Sequence, residues 1–172
     1  ICNVADELAY TTHDLDDGLR SGMITPQSLE GIALWEMLVK TYDWRGPQLK
    51  ELERHRMIRH LVGTLVTDMV AATNARLEKG GAKSALDIQK LPENVIGYSE
   101  EIARKNRELK DFLFKNLYRH YRVVRMQVKA ENIISDLFES YRREPLTLPD
   151  HVQQWIPIRG LERTICDHIA GM

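Results

Sequence analysis

The chain has only two cysteines in 172 residues, Cys2 and Cys166, far apart and without a Cys-x-x-Cys spacing. A disulfide framework and a zinc knuckle are thereby excluded, and a reducing, cytoplasmic setting is expected. No apolar run approaches the ~20 residues that span a bilayer, and no basic-then-apolar leader opens the chain, so no membrane association is expected. His-Glu-x-x-His and Gly-x-Ser-x-Gly are both missing, and Lys83-Ser84 lacks the glycines that a phosphate loop requires. Nowhere do apolar and polar residues alternate convincingly, which leaves no candidate strand.

What remains is helical. A hydrophobic share of 43% can build a core, and 28% charged residues suit a soluble protein. A first helix is predicted from about residue 2 to 20, stopped by Ser21-Gly22. Thr25-Pro26 reads as a cap plus a proline in the first turn, opening a helix to about Tyr42. After Gly46-Pro47, apolar residues recur at 58, 61, 62, 65, 66, 69 and 70, predicting a long helix from Gln48 to Lys79 with Ile58, Leu61, Leu65 and Met69 buried. Gly80-Gly81 ends it, and residues 82–98, with Pro92 and Gly97, form a turn-rich connection. Ser99-Glu-Glu caps a helix to about Tyr141, with an interruption near His120. Pro145 and Pro149 mark a loop, and Pro157-Ile-Arg-Gly160 precedes a last helix. The fold class is all-α, a helical bundle over residues 1–172 read as a single unit. Ile1 is not an initiator methionine and Met172 stops within a helical pattern, so a fragment or a processed chain is expected.

The first helix carries the most information. At 100° per residue, Asp6, Tyr10, His13, Asp14 and Asp17 fall within a third of a turn, opposite Val4, Leu8, Leu15 and Leu19. Like charges at i,i+3 and i,i+4 repel by a few tenths of a kcal/mol per pair, and no basic residue interleaves them. Such crowding is tolerated when a cation or a donor-bearing ligand faces the carboxylates. A metal or polar-ligand wall and a plain solvated acidic face both satisfy the pattern; Asp16 and Asp17, near the helix end, read as solvated.

Net charge is −1, yet residues 1–50 hold eight acids and four bases, whereas residues 101–130 hold three acids and nine bases. On a continuous helix Lys115, Arg119, Arg122 and Lys129 share one face, opposite Leu113, Leu117, Val124 and Val128. The stripe could grip a triphosphate, track a nucleic-acid backbone, bind a partner subunit, or simply be solvated.

Three stretches carry a resemblance. Val4-Ala-Asp6-Glu-Leu-Ala-Tyr10-Thr-Thr-His13-Asp14-Leu-Asp16-Asp17-Gly18-Leu, then Leu117-Tyr-Arg-His-Tyr-Arg-Val-Val-Arg-Met126 with Lys129-Ala, then Arg163-Thr-Ile-Cys-Asp-His-Ile-Ala-Gly-Met172 resemble bacterial deoxyguanosine triphosphate triphosphohydrolases, in that family's order. These are HD-superfamily enzymes that cut a deoxynucleoside triphosphate into deoxynucleoside and inorganic triphosphate. The resemblance implies an HD-type bundle, the C-terminal portion of the catalytic region, and a divalent metal (magnesium, manganese or another transition metal) whose bound water attacks the α-phosphate. It places Asp6 on the late metal-ligating aspartate and implies substrate contacts at Tyr10 and Asp14 and a phosphate contact at Arg119. His13, adjacent to Asp14 but pointing 100° away, is expected to orient its neighbours rather than bind metal. Lys115, Arg122 and Lys129 are further possible phosphate contacts. The family's histidine and histidine–aspartate ligands come from a segment this chain lacks, so the chain alone is expected to be inactive. The resemblance implies homo-oligomer formation as well, and, as for some members of the family, binding of single-stranded DNA. The alternative is a non-catalytic helical module acting through residues 101–130.

Overall fold

The structure is a computed structural model that describes residues 2–81, 84–89 and 94–172. Lys83 and Pro92 of the predicted connection lie outside the described residues. Among the described residues there is no strand, so the fold is all-α, and no helix is long and apolar enough to cross a membrane.

The chain divides into two compact units, residues 1–120 and 121–172, where the sequence read as one. In the first, α1 (Cys2–Ser21), α2 (Ala33–Tyr42), α3 (Glu51–Gly80) and α5 (Glu100–Leu113) pack around Leu8, Leu15, Leu34, Trp35, Leu38, Met57, Leu61, Leu65, Leu109 and Leu113; a short α4 (Ala85–Gln89) lies in the connection between α3 and α5, where only turns were expected. α1 ends at Gly22, whose φ of 70° suits only glycine without strain. Just before it, a Cβ on Gly18 would lie 2.6 Å from Ile24 Cδ1. That close approach lets the chain fold Ile24 under the helix end.

Thr25-Pro26 does not open the long helix expected. The Thr25 hydroxyl accepts from the Ser28 N–H (3.2 Å), but only a single tight turn, Gln27–Leu29, follows. Gly31 then takes φ of 86°, its N–H held by Glu36 Oε1 at 3.0 Å, and α2 starts at Ala33. Proline favours a first helical turn but cannot carry the helix past a glycine turned left-handed five residues later.

α3 is the long helix that the apolar period predicts, slightly shorter at its start, where Glu53 accepts from the Lys50 N–H (2.9 Å). Its buried line is Arg54, Met57, Leu61 and Leu65; Ile58 and Met69 are only half-buried, and Val66 and Val70 are exposed. The apolar set is wider than the strip its neighbours can cover. Ser99 caps α5 as expected, its hydroxyl accepting from the Ile102 N–H (3.3 Å), and Asp68 of α3 takes up both the Ser99 N–H (2.8 Å) and the Ser99 O–H (2.7 Å).

After Leu113 the helix widens into one π-helical turn, Phe114–Tyr118, and stops at Arg119-His120. The interruption expected near His120 is therefore a full break. In the second unit, α6 (Tyr121–Arg143), α7 (Asp150–Gln153), α8 (Ile156–Arg159) and α9 (Leu161–Ala170) close on a small core of Leu148, Val152 and Ile165, with Phe138, Tyr141 and Leu161 against it.

Leu65 is fully buried whereas its neighbour Val66 is 44% exposed. Leu65→Ala is expected to cost about 2–5 kcal/mol in urea unfolding, and Val66→Ala well under half of that; equal costs would place the α3 face wrongly.

Candidate functional site

The rotation of α1 about its axis decides which of its side chains can form a site. Leu8, Thr11, Thr12, Leu15 and Gly18 are buried, so this stripe faces the core. The Thr11 and Thr12 hydroxyls fold back on the Glu7 (2.9 Å) and Leu8 (3.0 Å) carbonyls, which makes them tolerable there. Asp16 is not solvated as the sequence suggested. Arg54, with a side chain only 8% exposed, donates to the Asp16 carboxylate at 2.8 Å and to its main-chain carbonyl at 3.2 Å. The guanidinium also donates to His55 Nε2 at 3.0 Å. A buried cation without these acceptors would cost several kcal/mol.

With α1 so held, Asp6, Tyr10 and Asp14 open onto a cleft of about 530 Å³, flanked on α1 by Asn3, Glu7 and Thr11. The opposite wall is Lys110 and Asp111 of α5, with Phe114 and Tyr118 of the π turn. The π turn matters here. Leu113 and Leu117 stay in the core while Phe114 and Tyr118, four residues apart, stand edge to face at 6.3 Å on the cleft side. Tyr118 donates its hydroxyl to the Asp14 carboxylate, joining the two walls. The other Asp14 oxygen has no partner among the described residues. Lys110 Nζ bridges to Glu7 at 2.7 Å, a half-exposed pair worth at most about 1 kcal/mol.

The expected and observed walls differ by a rotation. The acidic sector read from the sequence ran from His13 to Asp14 on the helical wheel; the cleft sector runs from Asp6 round to Thr11, about 40° further on. His13 falls outside that sector and is exposed, whereas Asp17 lies within it but three residues beyond Asp14 along the axis, past the end of the cleft lining. Lys115 does not line it either. Nor is Arg119 among the lining residues; its guanidinium lies 5.5 Å from the centre of the ring of Phe114, which does line the cleft. Arg122 and Lys129 belong to the other unit, and the break at Arg119-His120 removes the continuous helix on which the four-residue basic stripe depended. Sequence reasoning missed Lys110, Asp111 and Phe114 as site residues, and took Tyr118 only with Arg119, in the step expected to contact phosphate. Tyr118 stood in a quoted motif, next to Arg119, but nothing local marked its side chain as facing α1.

The cleft is strongly acidic: Asp6, Glu7, Asp14 and Asp111 against Lys110 alone. It suits hydroxyl donors and cations and repels bare phosphate. As a metal centre it is incomplete. Catalytic metal sites draw on three or more protein donors, and among the described residues no group of three His, Cys, Asp or Glu side chains converges. Asp6 can offer one ligand; the residues present do not fit a metal by themselves.

Residues 96–172 match the Phosphohydrolase-associated domain family. Over its whole length the chain is 43% identical to a deoxyguanosinetriphosphate triphosphohydrolase-like protein of Geobacter sulfurreducens, of which it covers 45%. Proteins of the same name from Bordetella pertussis (40% identical, 44% covered) and Deinococcus deserti (38% identical, 45% covered) also match from end to end of the chain. The chain belongs to this family of deoxyguanosinetriphosphate triphosphohydrolase-like proteins. It spans a little under half the length of the relatives it matches.

Burial, then the hydrogen bond to Asp14 and its charge, push the Tyr118 phenol up from 10.0 to about 12. A raised phenol keeps its proton in the folded state after the unfolded chain would have lost it, so its stabilising contribution is present below pH 10 and is lost as pH rises through about 12. Following phenolate absorbance, Tyr118→Phe is expected to remove one late-titrating tyrosine, and Asp14→Asn to bring that step to lower pH. An unchanged alkaline limb in both variants would show that the phenol and carboxylate are not joined.

Proposed function

We propose that this chain forms the nucleoside-side wall of a hydrolase that, in the longer protein, cuts a deoxynucleoside triphosphate into deoxynucleoside and triphosphate. The observation that carries the reading is the convergence of Asp6, Tyr10 and Asp14 on one cleft closed by Tyr118. The open oxygen of Asp14 can accept from a sugar hydroxyl. Tyr118 holds that carboxylate in place, so the acceptor is set before the ligand arrives. Tyr10, 62% exposed, presents a ring on which the sugar can pack. Four carboxylates steer the polyphosphate away from the cleft floor, towards Arg119 beside Phe114, where a guanidinium can fork onto phosphate oxygens. Asp6 stands two helical turns, about 12 Å, from Asp14. That separation suits a role at the reacting phosphate rather than at the sugar, as one ligand of a divalent metal whose remaining ligands would come from outside these residues.

The rival, a module that binds nucleic acid or a partner subunit through residues 101–130, asks for charge on one continuous face. The helix break divides that face between two units, which favours the hydrolase reading.

In the longer protein, Asp6→Ala is expected to lower triphosphate release from dGTP by about 100-fold or more, the scale for loss of an essential charged group. Asp14→Asn and Tyr118→Phe should act on KM, each by about tenfold as for one buried hydrogen bond, and should narrow the preference for dGTP over GTP. Arg119→Ala should raise KM and weaken its salt dependence. The 172-residue chain alone should release no triphosphate. Wild-type turnover in Asp6→Ala would sink the assignment and return the binding-module reading.

A further inference from the structure

A second groove, larger than the Asp6 cleft and separate from it, runs along the outer face of α3. It encloses about 900 Å³ between α3, Met37 and Tyr42 of α2, and Ile102 and Lys105 near the start of α5. Its floor is made of small residues, Gly63, Thr64, Thr67 and Ala71, and a Cβ on Gly63 would meet nothing within 4 Å. One end carries Arg56, Arg59 and His60, which share a face at i, i+3 and i+4.

Two observations distinguish this end from an ordinary solvated surface. Neither the Arg56 nor the Arg59 side chain has a hydrogen bond or ion pair with any described residue, although two guanidinium groups at i,i+3 on one helix face repel. The carboxylates lining the same groove do not relieve them. Glu101 is held by Lys105 at 2.6 Å, and Asp68 is taken up by Ser99. Asp68 also lies nine residues beyond Arg59, about 14 Å along the helix. The second observation is in the floor. The Thr11, Thr12 and Thr41 hydroxyls bond back to the carbonyl four residues earlier. Those of Thr64 and Thr67 have no partner among the described residues and face the groove. The wall is fixed as well: Tyr42 donates its hydroxyl to the Arg56 carbonyl (3.2 Å) and stands edge-on to His60 at 5.7 Å.

We propose that this groove is a binding site for a small polyphosphate anion, with Arg56 and Arg59 forking onto phosphate oxygens and the threonine hydroxyls donating along the floor. A single-stranded polynucleotide would need charge continuing past the groove, whereas here the basic end stops against Tyr42 and the far end is acidic. The proposal is independent of the role given to the Asp6 cleft, where phosphate is repelled.

The test is calorimetric titration of the full chain with inorganic triphosphate at low salt. Arg56→Gln with Arg59→Gln should weaken binding at least tenfold, the scale for losing one charge-assisted contact. Removing two charges elsewhere, with Lys79→Gln and Arg163→Gln, should leave it within about twofold, since exposed distant charges are screened. Gly63→Leu keeps every charge, improves helix propensity and fills the floor; it should also weaken binding. Absence of binding to the wild type overturns the proposal, as does equal affinity in the arginine variant. Unchanged affinity in Gly63→Leu reduces the site to a charged patch and overturns it too. Binding of an oligothymidylate without binding of triphosphate would assign the surface to a polynucleotide instead.

Discussion

A guanidinium inside an apolar core is the constraint around which the first unit is arranged. Arg54 lies on the same buried line of α3 as Met57, Leu61 and Leu65, and burying a charge is tolerable only when acceptors are brought to it. Asp16 supplies two, one from its side chain and one from its backbone. Because both come from a single turn of α1, the contact sets the helix's rotation as well as its distance. Everything that α1 shows to the cleft follows from that rotation. Asp6, Tyr10 and Asp14 turn towards the α5 side, and His13 turns to solvent. A hydrophobic contact in the same place would hold the helices together but would tolerate a rotation of some tens of degrees.

The second determinant is the π turn after α5. A regular α-helix continuing past Leu113 would carry the basic stripe onward to Lys129. Instead the chain spends five residues in a wider turn and stops, and the consequence is functional: Tyr118 meets Asp14 and Phe114 lines the cleft. Wide turns of this kind are uncommon and concentrate where a side chain must be re-aimed. Here the same five residues both end the first unit and complete its cleft. The Arg119 guanidinium is placed over the Phe114 ring by this turn rather than by any helical face.

The two polar regions of the first unit divide charge between them. The α1–α5 cleft gathers carboxylates, and the outer groove of α3 gathers guanidinium groups. A near-zero net charge conceals this segregation. In the sequence the acidic half was visible as a helical cluster near the start. The basic half was sought in residues 101–130, where positive charge is densest, whereas the groove is lined by Arg56 and Arg59.

The sequence by itself determined the helical class, most helix boundaries and the family, because these rest on information carried by neighbours in the chain. Ser99 caps its own helix, Gly22 stops α1, and the Leu61–Leu65 spacing marks a buried face whatever it packs against. It also marked Asp6, Tyr10 and Asp14 as belonging together, since residues four apart share a helix face. The tertiary structure alone decided how that face is turned and what stands across from it. Lys110, Asp111 and Tyr118 lie about a hundred residues from their α1 partners, and nothing in their own surroundings shows which way they point. Thr25-Pro26 shows the same limit on a smaller scale. A good local start signal opened only one turn, because propensity amounts to fractions of a kcal/mol per residue and packing of Ile24, Leu29 and Leu34 into the core outweighs it.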